Sequence, residues 1–120
     1  MTIQEMTASE LEMAEIIWEE EPLKSTRLVE ICQEKFAWKK STTYTLLRRI
    51  EKKKIVENQN SIIRCLVSRD DYFAIKGEKF VEENFGGSLP KFLTTFTRKK
   101  KLTSKEVQEI QDLIDNHREG

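Results

Sequence analysis

The sequence predicts a mainly α fold in which three helices, a β-hairpin and three further helices follow one another. Three observations predict it. Apolar residues recur at helical spacing over most of the chain, and two helices open on capping boxes, Thr7 with Glu10 and Thr103 with Glu106. The pattern breaks once into short β-branched runs, in IVENQNSIIRCLVS from Ile55 to Ser68. Pro22 and the pair Gly86-Gly87 stand where helical stretches must stop.

Helix one starts after Thr7 as N-cap, with Met6 and Leu11 at the hydrophobic staple positions. Leu11, Ala14, Ile17 and Trp18 form its inward stripe, widened by Met13 and Ile16, and Pro22 ends it after Glu19, Glu20 and Glu21. A second helix, from about Ser25 to Phe36, turns Leu28, Val29, Ile31 and Cys32 inward, which makes Cys32 a small core residue rather than a ligand. A third covers residues 40 to 54. The β-branched runs then read as a hairpin around the polar Glu57-Asn58-Gln59-Asn60-Ser61, with Cys65 in the returning strand. From Asp70 the pattern is helical again up to Gly86-Gly87. SLPKFLTTFTRKKK gives a short helix, and the last helix carries the stripe Val107, Ile110, Leu113 and Ile114 behind the staple pair Leu102 and Val107. The expected division is a first domain over residues 1–69 and a helical domain over 70–120.

The chain has 120 residues, 38% apolar and 35% charged, so its core is small; it buries enough apolar area to fold and leaves room for a partner subunit to add stability. Twenty-one Lys and Arg balance twenty-one Asp and Glu. That balance excludes a generally basic coat for nucleic acid but leaves room for a local patch. Cys32 and Cys65 lack C-x-x-C spacing, the pattern of a reduced chain. No apolar run is long enough to span a bilayer, and MTIQEMTASELE is acidic where a signal peptide is basic and then apolar. A cytoplasmic location without membrane insertion is the expectation. One histidine, no Gly-rich phosphate loop and no G-x-S-x-G leave no catalytic constellation, so neither an enzyme nor a bound cofactor or metal is expected.

The local patch is WKKSTTYTLLRRIEKKKIV, residues 38 to 56. It carries Lys39, Lys40, Arg48, Arg49, Lys52, Lys53 and Lys54 against Glu51. At about 100° per residue, Thr43, Leu46, Leu47 and Ile50 fall on one side of the helix and Ser41, Thr45, Arg48 and Lys52 on the other, flanked by Tyr44 and Arg49. Hydroxyls and guanidinium groups are the types that reach base edges and phosphates in a major groove. Solvated faces normally mix signs for intrahelical pairing, and this one hardly does. A tri-helical unit followed directly by a hairpin is a winged helix-turn-helix, whose third helix enters the groove while the hairpin lies along the backbone. The candidate DNA-binding set is Lys39, Lys40, Ser41, Thr42, Tyr44, Thr45, Arg48, Arg49, Lys52 and Arg64, with Asn58, Gln59 and Asn60 near phosphate. Arg48 and Ser41 are assigned to base reading, helped by Tyr44 and Thr45; Lys39, Lys40, Arg49 and Lys52 are assigned to phosphate. The alternative is a winged helix that docks on an acidic protein. Such an interface wants an aromatic or aliphatic anchor at its centre, and Tyr44 is the one aromatic on this face.

AEIIWEEEPLKSTRLVEI, STTYTLLRRIEKKKIVE and NFGGSLPKFLTTFTRKKKLTSKEVQEIQDLID together resemble the penicillinase-repressor family of winged-helix transcription repressors, over nearly the whole chain and in order. The resemblance implies a homodimer with a C-terminal helical dimerisation arm. It also implies a double-stranded operator of two-fold symmetry, often built on TACA/TGTA half-sites, and repression by occupying it. Phe80, Val81, Phe85, Phe92, Leu93 and Phe96, with Val107, Ile110, Leu113 and Ile114, are the candidate dimerisation residues, since together they exceed what a lone arm can bury. Copper-responsive members end in paired C-x-C motifs; this chain ends DNHREG, and His117 is its single histidine, so no metal site is carried over. Members governed by β-lactams are cut at an Asn-Phe bond by a membrane-bound sensor protease. The aligned bond here is Thr95-Phe96, where Phe96 matches and Thr95 does not.

Overall fold

The computed structural model describes residues 3–118, and the chain divides into two compact units, Met1–Gly77 and Glu78–Gly120. The first unit holds α1 (Ala8–Glu20), β1 (Leu23–Lys24), α2 (Ser25–Phe36), α3 (Lys40–Lys52), β2 (Val56–Gln59), β3 (Ile62–Cys65) and the start of α4 (Arg69–Phe85). The second holds the rest of α4 with α5 (Leu89–Lys99) and α6 (Ser104–Arg118). The observed order is mainly helical, three helices and a hairpin followed by three helices, as the periodicity predicts.

Both capping boxes form. Thr7 Oγ1 accepts from the Glu10 N–H at 3.3 Å and Glu10 Oε1 accepts from the Thr7 N–H at 2.9 Å; the pair at Thr103 and Glu106 closes at 3.1 and 2.9 Å. Glycine is favoured where α4 ends: Gly86 and Gly87 have φ of 57° and 81°, in the left-handed region that a side chain disfavours.

The core of the first unit is built from the predicted stripes. Met13, Ala14 and Ile17 of α1, Leu28 and Cys32 of α2, and Leu47 and Ile50 of α3 close over Ile55, Val56 and Ile63, with Tyr72 of α4 buried beside them. Burying each of the larger aliphatic side chains contributes about 1.5–3 kcal/mol, which is what holds three short helices together. Burial also pushes the Cys32 thiol up, in keeping with an inert core residue. Trp18 packs half-buried and donates Nε1–H to the Val67 carbonyl at 2.9 Å.

The sheet differs from a simple hairpin. It has three strands in the order β1-β3-β2, with Leu23 opposite Ile63 and Lys24 opposite Ile62. A two-residue strand after Pro22 is too short to show a period, so the sequence carries no signal for it. The connection is also tighter than the polar run suggests: Glu57, Asn58 and Gln59 belong to β2, and Asn60 and Ser61, both at positive φ, make a two-residue turn. Glu21 accepts from the Cys65 N–H at 2.9 Å. Burial first, then the Glu21 carboxylate, push the Cys65 thiol up to about 12, so it stays protonated and unreactive.

One buried charge departs from the expected pattern. Glu10 is 1% exposed, and its carboxylate pairs with Lys53, whose Nζ also donates to the Glu5 carbonyl at 2.9 Å. Burial alone would raise the Glu10 pKa; the Lys53 ammonium and the Thr7 N–H more than offset it and hold the carboxyl below its ordinary value. Glu10 therefore contributes stability above the ordinary carboxylate range that is lost as pH falls through its lowered native value. Replacing Lys53 by Met strands a buried carboxylate, an expected loss of about 3 kcal/mol near neutral pH. The deficit should shrink as pH falls through the carboxylate range, because a protonated Glu10 needs no counter-charge. Urea unfolding of both proteins across that range measures it.

Candidate nucleic-acid interface

The site is one face of α3 and what surrounds its ends. Ala37 ends α2 in the left-handed region at φ 57°, its N–H bonded to the Gln33 carbonyl at 3.0 Å, and Trp38 stacks on Phe36 with ring centroids 4.7 Å apart. This three-residue turn re-aims the chain, and Lys39 then starts α3 in extended geometry with no side-chain cap. Thr43, Leu46, Leu47 and Ile50 are buried beneath the helix. Ser41, Thr42, Thr45, Arg48, Arg49 and Lys52 are exposed, as are Lys39 and Lys40 at its start. The predicted wheel is the observed one. Tyr44 is half-buried and packs against the core.

Arg48 Nη2 lies 3.5 Å from Thr45 Oγ1, one turn back along the exposed face. Among the described residues, Lys39, Lys40, Arg48, Arg49, Lys52 and Arg64 are held in no ion pair. Arg49 still lies near enough to α1 to favour the charged form of Glu10. Lys53 does not belong to the free set: it turns away from this face onto Glu10. Arg64 is exposed on β3 opposite Glu57, and Asn58 is half-buried rather than at the tip. The sequence reading missed Lys24. It is exposed on β1, and the Ser25 N–H that follows donates to the wing-tip Ser61 carbonyl at 2.9 Å, which puts this cation beside the hairpin turn.

In the second unit, Phe80, Phe85, Phe92 and Phe96 form a chain of ring contacts with centroids 5.5 to 6.1 Å apart. None of the ten candidate dimerisation residues is buried: Val81, Phe85, Phe92, Leu93 and Ile110 are half-covered, and Phe80, Phe96, Val107, Leu113 and Ile114 are exposed. Leu89, 54% exposed, joins them. Thr95 and Phe96 sit within α5, both exposed. Among the described residues no cluster of side chains is arranged to hold a metal ion, and no helix is long and apolar enough to cross a membrane.

Three helices, a turn that presents the third, and a hairpin wing beside it define a winged helix-turn-helix protein with a cationic third helix. The match to known proteins narrows the class. The family model described as penicillinase repressor matches residues 6–116, and the chain belongs to that family of winged-helix, DNA-binding transcriptional repressors, which are not enzymes. It is 22% identical over 116 residues to the penicillinase repressor of Staphylococcus aureus, covering 93% of this chain and 92% of that protein. It is 24% identical over 115 residues to the methicillin resistance regulatory protein MecI of Mammaliicoccus sciuri, covering 92% and 94%. The solution structure of the DNA binding domain of the repressor BlaI matches with a TM-score of 0.54 at 20% identity, over 59% of this chain and 92% of that one.

The strained turn at Ala37 yields a direct test. Ala37→Gly should raise stability by roughly 0.5–1 kcal/mol, since relief of the left-handed conformation exceeds glycine's entropic cost. Thermal unfolding of the two proteins measures the difference.

Proposed function

We propose that the chain acts as a homodimer that represses transcription by occupying a double-stranded operator of two-fold symmetry, α3 of each protomer reading one half-site. The observation that carries this reading is the face of α3: hydroxyls and unpaired cations over a buried apolar stripe, with Lys39 and Lys40 where the helix begins. Arg48 and Ser41 read base edges; Lys39, Lys40, Arg49 and Lys52 hold phosphates, and Arg64 and the wing follow the backbone. Such a repressor works where the DNA is, in the cytoplasm. The second unit supplies the dimer. Its exposed Phe80, Phe96, Val107, Leu113 and Ile114 are the surface a second copy would cover, and a two-fold protein matches a two-fold site.

Selection from a random duplex pool tests the reading: recovery of a motif with two-fold symmetry supports it, and enrichment of nothing refutes it. On the recovered duplex, Arg48→Ala should relax preference at one position by roughly 1–3 kcal/mol. Lys39→Ala should weaken binding to all sequences alike and lower the salt slope by about 1. Leu113→Asp should give a monomer in analytical ultracentrifugation and reduce affinity for the two-fold duplex about 10²-fold or more, because the half-sites are then bound independently.

A further inference from the structure

The peptide group joining Glu5 to Met6 is held from two sides. Its carbonyl accepts from Lys53 Nζ at 2.9 Å, just past the end of α3, and its N–H donates to the Tyr72 hydroxyl at 2.9 Å, in the first turn of α4. Lys53 is bonded in turn to Glu10, whose same oxygen takes the Thr7 N–H. Three successive residues ahead of α1 are thus fixed to α3, α4 and α1. The inner groups are shielded: Tyr72 is 0% exposed, the Glu10 side chain 1% and the Lys53 side chain 19%, while Glu5 itself lies at the surface. Water competes poorly for the bonds to Tyr72 and Glu10, so those two connections are stiff and the Glu5 carbonyl adds to them.

A lysine in a basic stretch normally points to solvent, and the neighbouring Lys52 and Lys54 do so. Lys53 instead fixes the C-terminal end of α3, while the turn at Ala37 fixes its start. A helix held at both ends cannot rotate about its axis or slide along it, and base reading depends on such placement because hydrogen bonds weaken steeply with angle and distance. We propose that the segment ahead of α1 is a brace between α3 and α4, and that Lys53 and Tyr72 are positioning residues for sequence-specific DNA reading, with neither touching DNA. This rests on the reading of α3 as the helix that enters the groove.

The brace separates specificity from affinity. The test uses full-length Lys53→Met, Lys53→Arg and Tyr72→Phe, each shown to be folded by circular dichroism at the assay temperature. Binding is measured to the tightest duplex from the random pool and to a scrambled duplex of the same length, at two salt concentrations. Lys53→Met should lose about tenfold on the selected duplex and less than about twofold on the scrambled one, with an unchanged salt slope. Lys53→Arg keeps a donor for Glu10 and the Glu5 carbonyl and should recover most of the loss. Tyr72→Phe removes a single acceptor and should lose about threefold to fivefold, again on the selected duplex alone.

A loss on both duplexes with a salt slope lower by about 1 would make Lys53 a phosphate contact and overturn the proposal. Native affinity and preference in folded Lys53→Met and Tyr72→Phe would overturn it as well, leaving the brace a matter of stability only. Arg48→Ala separates the two levels. If Arg48→Ala weakens selected-duplex binding while the brace variants do not, the brace alone fails; if Arg48→Ala has no effect, the reading of α3 fails and the brace falls with it.

Discussion

The contact on which the first unit depends is a carboxylate with almost no access to water. Glu10 sits at the third position of α1, where a capping box needs an acceptor, and the packing of α1 against α3 closes over it. An isolated buried carboxylate would take up a proton or open the structure. Lys53 prevents both, and because it is the residue that caps the C-terminal end of α3 it commits that helix to one position against α1. Apolar packing of Leu47 and Ile50 supplies more free energy but tolerates small shifts; an ion pair with a shared backbone acceptor does not. The core sets how strongly the helices associate, and the polar contact sets their register.

Formal neutrality of the chain hides a sorted surface. Three acidic residues of α1 and its C-cap are consumed in structure: Glu10 by Lys53, Glu15 by a two-pronged contact with Arg69, and the cap residue Glu21 by the Cys65 N–H. Arg69 also lies 4.7 Å from the centre of the Phe73 ring, so that cation is committed too. Among the described residues, the basic residues of α3 have no such partners; Lys53, just past its end, does. Equal totals therefore leave a concentrated positive face, which is the distribution that separates a site for a polyanion from a solvated helix.

Legibility in the sequence follows the range of the interaction. Both capping boxes, the stripes of the N-terminal helices, the Gly86-Gly87 stop and the exposed face of α3 are governed by residues three or four apart, and all were readable. What was not readable depends on contacts distant in sequence. Lys53 looked like one more member of a basic run because its partner lies 43 residues away. Nothing in the helical pattern from Asp70 singles out Tyr72, whose hydroxyl finds an N–H 66 residues back. Leu23-Lys24 becomes a strand only because Ile62 and Ile63 are there to pair with it, and Lys24 reaches the wing by the same route.

The second unit poses a different physical problem. Among the described residues of α5 and α6 none is buried, and the rings of Phe80, Phe85, Phe92 and Phe96 meet edge to face or tilted with their outer sides uncovered. Such contacts add about 0.5–1.5 kcal/mol each beyond area, too little to order two helices against a backbone entropy cost of about 1–2 kcal/mol per residue. Area removed from water adds to them where Val81, Phe85, Phe92, Leu93 and Ile110 are half-covered, and the exposed apolar side chains are further area available. If a second copy covers them, the stability of this unit becomes a function of protomer concentration, since a folded arm and an assembled dimer are then the same equilibrium. Repression then acquires a threshold. At low concentration both the arm and the two-site attachment to DNA are lost together, and occupancy falls more steeply than a single-site isotherm allows.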